Sequence, residues 1–267
     1  MEILKIGSVG EDVRALQKAL ASELGLAISA DGQFGPGTAR ILGQWQTTQG
    51  IVENDSQGRP MYGPKSKDIS EEYIENNFIT EHTYDQAAEQ LGVEARALKA
   101  FALTESKGQG FLSNGFPVIL FERHKFYQAV SLKYSRAEAI ALANKMPSIC
   151  NPNAGGYLGY EREIPRLEQA ASFDWQCAHS SASWGQFQVM GFNHKRCGFS
   201  TLEEFVEAHK ASEQMQMYGF VNFLASDPNI ISALKAKNWK VCAALYNGTG
   251  NIAVYSKKML ENYISIQ

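Results

Sequence analysis

The spacing of apolar residues divides the chain into two regions of different texture. In residues 1–70 the pattern is compact and turn-rich. From Gly10 to Ser22, Val13, Leu16 and Leu20 recur at helical spacing with Gln17 beside them, as in a helix that buries one face. Asp31-Gly32-Gln33-Phe34-Gly35-Pro36 is a dense turn signal, because glycine and proline interrupt regular structure. Thr38 to Thr48 then carries Ile41, Leu42 and Trp45 on a second helical face, and Met61-Tyr62-Gly63-Pro64 echoes the turn. Helix, turn, helix, turn in under 70 residues predicts a small three-helix domain without a cluster of catalytic groups.

A polar join at residues 71–82 reads as a short helix or linker, and residues 83–267 form a longer, mostly helical region. Helices are predicted at Tyr84 to Leu91 and, after Gly92, at Val93 to Glu105. Pro117-Val118-Ile119-Leu120-Phe121-Glu122 is a short apolar run with β character. Ser135-Arg136-Ala137-Glu138 and Thr201-Leu202-Glu203-Glu204 have the spacing of a capping box and mark helix starts. Thr201 to Ser226 reads as the longest helix, with Phe205, Val206, Tyr218, Val221 and Leu224 as core positions. Asp227-Pro228 opens another helix, and Lys240 to Tyr246 and Tyr255 to Tyr263 are the last two. Between Cys150 and Ser183 the chain is glycine-rich and is expected to be irregular and to line a substrate groove.

Composition narrows the function classes. At 44% hydrophobic and 20% charged, the 267 residues suit one large domain or a small one beside a medium one. A net charge of −3 provides no basic footprint, which argues against nucleic acid and against capture by an anionic membrane. No apolar run approaches the roughly 18 residues of a membrane span. Met1 to Gly7 lacks the basic start and apolar core of a signal peptide, so synthesis in the cytoplasm is expected. The four cysteines (Cys150, Cys177, Cys197, Cys242) are not in CxxC spacing and are expected as free thiols. His124, His179 and His194 show no metal-binding spacing, and neither metal nor cofactor is expected. Cys177 lies near His179 in sequence, but a cysteine peptidase needs the two converged in space.

The chemistry gathers around Glu105, where an apolar helix carrying Val93, Leu98, Phe101 and Ala102 runs into Glu105-Ser106-Lys107-Gly108. Locally, a glutamate in the last turn of an ordinary helix is the plainer reading. A carboxyl held against apolar surface is, however, suited to stay protonated and act as a general acid. Gly108 and Gly110 would let the chain turn away and leave that carboxyl open at a cleft edge. Two further motifs follow in order, Ser183-Trp184-Gly185-Gln186-Phe187-Gln188-Val189-Met190-Gly191 and Ala243-Ala244-Leu245-Tyr246-Asn247-Gly248-Thr249-Gly250. In the first, Gly185 permits close backbone approach to a sugar, and Gln186 and Gln188 alternate with Phe187 and Val189, so one set can face substrate while the other packs. Trp184 reads either as a platform for a sugar ring or, more commonly for so large an aromatic, as core. In the second, Tyr246 and Asn247 supply hydrogen bonds, or Asn247-Gly248 simply ends a helix.

These three motifs in this order resemble the lysozyme superfamily, and are similar to goose-type lysozymes and lytic transglycosylases. With Pro117-Val118-Ile119-Leu120-Phe121-Glu122-Arg123-His124-Lys125-Phe126, the second region looks like the N-acetylmuramidase family of bacteriophage endolysins. The first region resembles the small peptidoglycan-binding domain of cell-wall hydrolases through Leu4-Lys5-Ile6-Gly7-Ser8-Val9-Gly10-Glu11-Asp12-Val13, Leu16-Gln17, Asp31 to Thr38 and Trp45-Gln46, with an altered later turn at Asp55-Ser56-Gln57-Gly58. The resemblance implies a mainly α protein: a three-helix peptidoglycan-binding domain joined to a lysozyme-like α+β catalytic domain with a minor β element. It implies a hydrolase of the β-1,4 bond between N-acetylmuramic acid and N-acetylglucosamine. The alternatives are a lytic transglycosylase leaving 1,6-anhydro ends and a non-catalytic wall-binding protein.

The resemblance assigns Glu105 as proton donor and Ser183, Trp184, Gln186, Gln188, Tyr246 and Asn247 as substrate-binding residues, with Tyr246 near the glutamate or the N-acetyl group. Asp31, Phe34, Arg40 and Trp45 are the expected wall-binding residues. Glu122 is the candidate for a second carboxylate, the water-activating or nucleophilic partner that glycosidases commonly use; an ion pair is its alternative, and Asp174 is a weaker candidate. The expected partner is peptidoglycan, bound by a monomer that reaches the wall through a membrane pore.

Overall fold

The computed structural model describes residues 1–266 other than 107, 108 and 249, together with all side chains in that range but that of Asn247. Lys107 and Gly108 of the Glu105 motif, Thr249 and the Asn247 side chain therefore lie outside the described residues. The chain is mainly α-helical and divides into two compact units, Met1–Gln90 and Leu91–Gln267.

The first unit is built on α1 (Glu11–Leu24), α2 (Pro36–Thr48) and α3 (Pro64–Asn77), followed by α4 (Glu81–Leu91). Both turn signals in the sequence are helix starts: Pro36 and Pro64 stand in the first turn of α2 and α3, where the missing N–H costs nothing. The three helices bury Val13, Leu16, Leu20, Phe34, Leu42, Trp45, Tyr62 and Ile74 in one core, and full burial of each such Leu, Val, Ile or Phe contributes about 1.5–3 kcal/mol. The stretch expected as linker is the end of α3, through Asn77, and the start of α4.

Two buried polar side chains organise this unit. The Gln17 amide donates to Asp31 Oδ1, the Gln33 carbonyl and Thr38 Oγ1, and accepts from Gly32 N at 2.9 Å, fixing the turn between α1 and α2. The Glu53 carboxylate accepts from Gly63 N, Lys65 N, Ser66 N and Ser66 Oγ at 2.9–3.1 Å. It thus satisfies the orphan donors at the start of α3 and sits at the positive end of that helix. Gly63 has to be glycine, because a Cβ there would lie 2.6 Å from Glu53 Oε1.

The second unit carries α5 (Ala95–Glu105), β1 (Ile119–Phe121), α6 (Arg123–Lys133), α7 (Arg136–Lys145), a 3-10 turn at Tyr160–Arg162, α8 (Glu163–Phe173) and α9 (Trp175–Ser180). It continues through β2 (Ala182–Trp184), β3 (Val189–Met190), α10 (Leu202–Ala211), α11 (Glu213–Ala225), α12 (Pro228–Lys235), α13 (Trp239–Asn247) and α14 (Ile252–Ser265). The strands form one small antiparallel sheet in the order β1-β2-β3, with Leu120 opposite Ser183 and Ser183 opposite Met190.

The sequence reading is corrected in two places. The single helix expected from Thr201 to Ser226 is two. Ser212 is extended (φ −163°) and its Oγ accepts from Met215 N, capping α11, so the helical phase restarts and Tyr218 turns outward at 46% exposure, while Phe205, Val206, Val221 and Leu224 are buried as expected. The stretch from Cys150 to Ser183 is irregular only as far as Gly159. Beyond it, α8 buries Glu163, Arg166, Leu167 and Ala170 on one face, a helical period that the glycines before it obscured.

For Glu53, burial acts to raise the pKa, but the donations from Lys65, Ser66 and Gly63 outweigh it and hold the carboxyl below its ordinary 4.5. A folded-state pKa below the unfolded one gives stability that is complete above about pH 4.5 and is lost as the pH falls through the folded value. Glu53→Gln should therefore lower the stability of this unit by about 1–3 kcal/mol at neutral pH, measured as a lower urea midpoint. Between pH 7 and pH 3 the variant should lose less stability than the wild type. Equal acid sensitivity of the two proteins would remove Glu53 from this role.

Candidate active site

The C-terminal end of α5 brings Glu105 to a cleft of about 600 Å³. Thr104, Glu105 and Ser106 form one side, with Leu120 of β1 and Ser183, Phe187 and Gln188 of the β2–β3 hairpin. Tyr160, Tyr246 of α13, and Tyr255 and Lys258 of α14 complete the lining. Among the described lining residues Glu105 is the one acid and Lys258 the one cation.

The position of Glu105 is fixed by what α5 packs against. Ala97, Leu98, Ala100, Phe101 and Ala102 are all buried, and the small side chains allow α14 to lie close. Asn262 of α14 donates to Thr104 Oγ1 at 2.9 Å, one residue before Glu105, and Thr104 Oγ1 in turn donates to the Ala100 carbonyl. At the other end of α5, Arg96 donates to the Tyr263 and Ile264 carbonyls, satisfying the last turn of α14. After Glu105 the helix stops because Ser106 is extended (ψ 138°).

The far side of the cleft is held by the buried amide of Gln216 on α11. Its Nε2 donates to the Gly110 carbonyl at 3.2 Å and to the His209 carbonyl at 2.9 Å, and its Oε1 accepts from Gln186 N at 2.8 Å. Gly110 and Gly185 both press on this amide: a Cβ on either would lie 2.5 Å from it. The close approach that Gly185 permits is thus to Gln216. Gln188 stiffens the hairpin from within, donating to the Gly185 and Val118 carbonyls while accepting from Ser183 Oγ.

Tyr246 sits in an aromatic cluster with Phe101, Phe220 and Phe223, and its hydroxyl donates to the Phe187 carbonyl at 3.0 Å. Burial first, and the nearby charge of Glu105 second, hold its phenol well above the ordinary pKa. It stays protonated as a donor that ties α13 to the hairpin.

Several expected site residues lie elsewhere. Trp184 is fully buried, donates to the His179 carbonyl, and stacks with His179, which is the core reading rather than a sugar platform. Gln186 is 3% exposed and off the cleft lining; residues 185–188 are a turn, so the alternation expected of a strand does not apply. Glu122 does not line the cleft either. Its carboxylate accepts from Tyr157 OH at 2.6 Å and lies 3.2 Å from His124 Nδ1. Asp174 caps α9, accepting from Cys177 N, and binds Lys133 and Tyr134; despite burial, these contacts push its carboxyl far down, which disqualifies it as a proton donor. The four cysteines are buried free thiols. Burial pushes Cys177 up to about 12, so no thiolate is present to act as a nucleophile. His179 is held neutral by burial, its Nδ1 against the Trp175 carbonyl.

Comparison with known proteins bears on this arrangement. Residues 94–267, which hold the whole cleft, match the family model described as N-acetylmuramidase. The chain belongs to the N-acetylmuramidase family. Residues 9–54 match a second model, described as "Putative peptidoglycan binding domain". The crystal structure of Burkholderia AP3 phage endolysin matches with a TM-score of 0.66 at 35% identity, over 98% of this chain and 98% of that one. No curated protein matches. The protein is a modular peptidoglycan hydrolase, an endolysin with its muramidase domain after its wall-binding domain. Among the described residues no helix is long and apolar enough to cross a membrane.

In the binding domain of this muramidase, Phe34 and Trp45 are core residues at 1% and 2% exposure, whereas Asp31 and Arg40 are exposed. Asp31 is held as a carboxylate by donation from Gln17 and then Gln33 N. The altered turn is closed by Asp55, which accepts from Gln57 N and Arg59 N and pairs with Arg59 at 2.7 Å. In the muramidase domain, sequence reasoning missed Gln216, Tyr160, Tyr255 and Lys258. The exposed, polar end of Tyr255–Lys258 on an otherwise apolar helical period was the available signal for the last two.

Gln216→Leu should cost about 1–3 kcal/mol for each buried partner left unpaired, and should lower activity more than global unfolding accounts for. Activity measured well below the melting transition checks this; full activity there would show that the Gln216 network does not position the cleft.

Proposed function

We propose that the cleft cleaves the β-1,4 bond between N-acetylmuramic acid and N-acetylglucosamine with Glu105 as the general acid. The observation that carries this is that Glu105 is the one acid among the described residues lining a polar cleft of about 600 Å³. Protonation of the leaving oxygen is the step that glycoside cleavage demands as oxocarbenium character develops. The Glu105 side chain is partly buried at a helix end, within reach of a chain lying in the cleft. Ser183, Gln188 and Tyr246 are assigned to substrate beside it. The Tyr246 and Gln188 side chains already carry hydrogen bonds to the hairpin, so their main contribution is to the shape of the wall.

Glu122 lies off the lining, so the proposal rests on a single acid. Glu105 gives its proton to the leaving oxygen as the C–O bond breaks, water adds to the anomeric carbon from the opposite face and releases its proton to solvent, and Glu105 is reprotonated from solvent. The wall-binding domain tethers the enzyme to the polymer and raises the local substrate concentration. Peptidoglycan as substrate and the wall as site of action fit both matched domains. Action as a monomer, after release from the host cytoplasm through a membrane pore, completes the reading.

Glu105→Gln should lower turnover by at least about a hundredfold, the range of general acid catalysis, while binding to purified wall is unchanged. Mass spectrometry of wall digested by the wild type should find muramic acid at reducing ends. Anhydro ends would instead identify a transglycosylase, and a fully active Glu105→Gln would remove Glu105 from the chemistry.

A further inference from the structure

We propose that Tyr160 is a sugar-binding platform of the muramidase cleft, presented by a prebuilt loop that Glu122 and Glu163 hold in place. The inference rests on the reading of the Glu105 cleft given above.

Tyr160 lines the cleft with 68% of its surface exposed. Its backbone is left-handed, with φ 51°, a conformation that a bulky residue rarely adopts. Such strain persists where the surroundings impose it, and it gathers at functional sites. Here the surroundings are explicit. Glu163, fully buried, accepts from Leu158 N at 2.6 Å and Gly159 N at 2.8 Å, immediately before Tyr160. Its other oxygen pairs with Arg166, which is itself bound to the Phe121 and Ser148 carbonyls. On the upstream side Arg123 donates to the Asn153 and Ala154 carbonyls. Between these anchors Tyr157 donates to Glu122; burial and that donation both keep its proton on. Downstream, Ser113 Oγ donates to Glu161 at 2.8 Å.

Two acids, two arginines and a tyrosine are thus spent on fixing a short loop that exposes Tyr157, Leu158 and, most of all, Tyr160, the one of the three that lines the cleft. An exposed ring on a rigid backbone offers contact area to the C–H face of a pyranose with little ordering cost. The ligand class is a β-1,4-linked N-acetylhexosamine strand, bound by its ring face rather than by charge. Glu122 is then a positioning residue that acts through Tyr157, not a second catalytic acid.

The test uses the full-length protein and soluble, peptide-free peptidoglycan glycan strands, with reducing ends counted. Tyr160→Ala should raise KM about tenfold and leave kcat within about threefold, because the ring contacts substrate and not the reacting atoms. Tyr160→Phe should behave as wild type. An unchanged KM in Tyr160→Ala, or a Tyr160→Phe as poor as Tyr160→Ala, overturns the platform. Glu122→Gln keeps an acceptor for Tyr157 and should retain kcat within about threefold; a loss beyond about a hundredfold, the scale of general acid–base catalysis, overturns the positioning role. Glu105→Gln, run in parallel, separates the two readings: its loss of activity upholds the cleft whatever Tyr160 does, and its full activity overturns both.

Discussion

The cleft depends on one buried amide. Gln216 joins three segments that share no continuous secondary structure: the chain after Glu105 at Gly110, the β2–β3 turn at Gln186, and the end of α10 at His209. Each of those backbone groups lies where water does not reach Gln216, which is 1% exposed, and a buried amide or carbonyl without a partner costs free energy comparable to a lost hydrogen bond. A hydrophobic residue of the same size would fill the space and satisfy none of them. The two glycines that press on this amide are fixed by the same constraint, since either Cβ would occupy the position of the Gln216 side chain.

Around that amide the packing is aromatic and nearly without polar groups. Phe187 stacks on Phe220 with centroids 4.2 Å apart, Phe101 lies 6.1 Å from Phe220, and Tyr246 meets Phe101 edge-on at 5.2 Å. One cluster therefore connects α5, which carries Glu105, with the hairpin, α11 and α13. It packs α5 through Phe101, while Tyr246 carries the single hydroxyl of the cluster to the Phe187 carbonyl. The cleft is shaped by elements whose own stability does not depend on substrate, which is the arrangement that preorganised chemistry requires.

In the first unit α1 and α2 were legible from their apolar faces and the turn between them, whereas the polar second half of α3 was read as the join, because few apolar residues mark its face. In the second unit α5, α7, α10, α12, α13 and α14 were legible from apolar spacing and capping residues, while α6, α8 and α9 were not. The break at Ser212 was not, because Ala211-Ser212-Glu213 interrupts neither apolar content nor charge pattern and only the cap geometry marks it. The order of motifs singled out Glu105, Ser183, Gln188 and Tyr246, and the four line one cleft. Gln186 was assigned to substrate from a strand-like alternation that the turn at 185–188 removes, and Trp184, with core as its alternative, takes the core place; both are buried. Gln216 was invisible because two of its partners lie 30 and 106 residues away, and Tyr160 because its place follows from a backbone angle; neither leaves a local pattern.

The most direct measurement of the central claim is a crystal structure of the Glu105→Gln protein soaked with a muramic acid-containing glycan fragment. The bridging oxygen of a β-1,4 bond is expected at about 2.6–3.2 Å from the introduced amide, within hydrogen-bond reach of the proton donor. A glycan bound in the cleft with every bridging oxygen far outside that reach, or bound only at another surface, would contradict it.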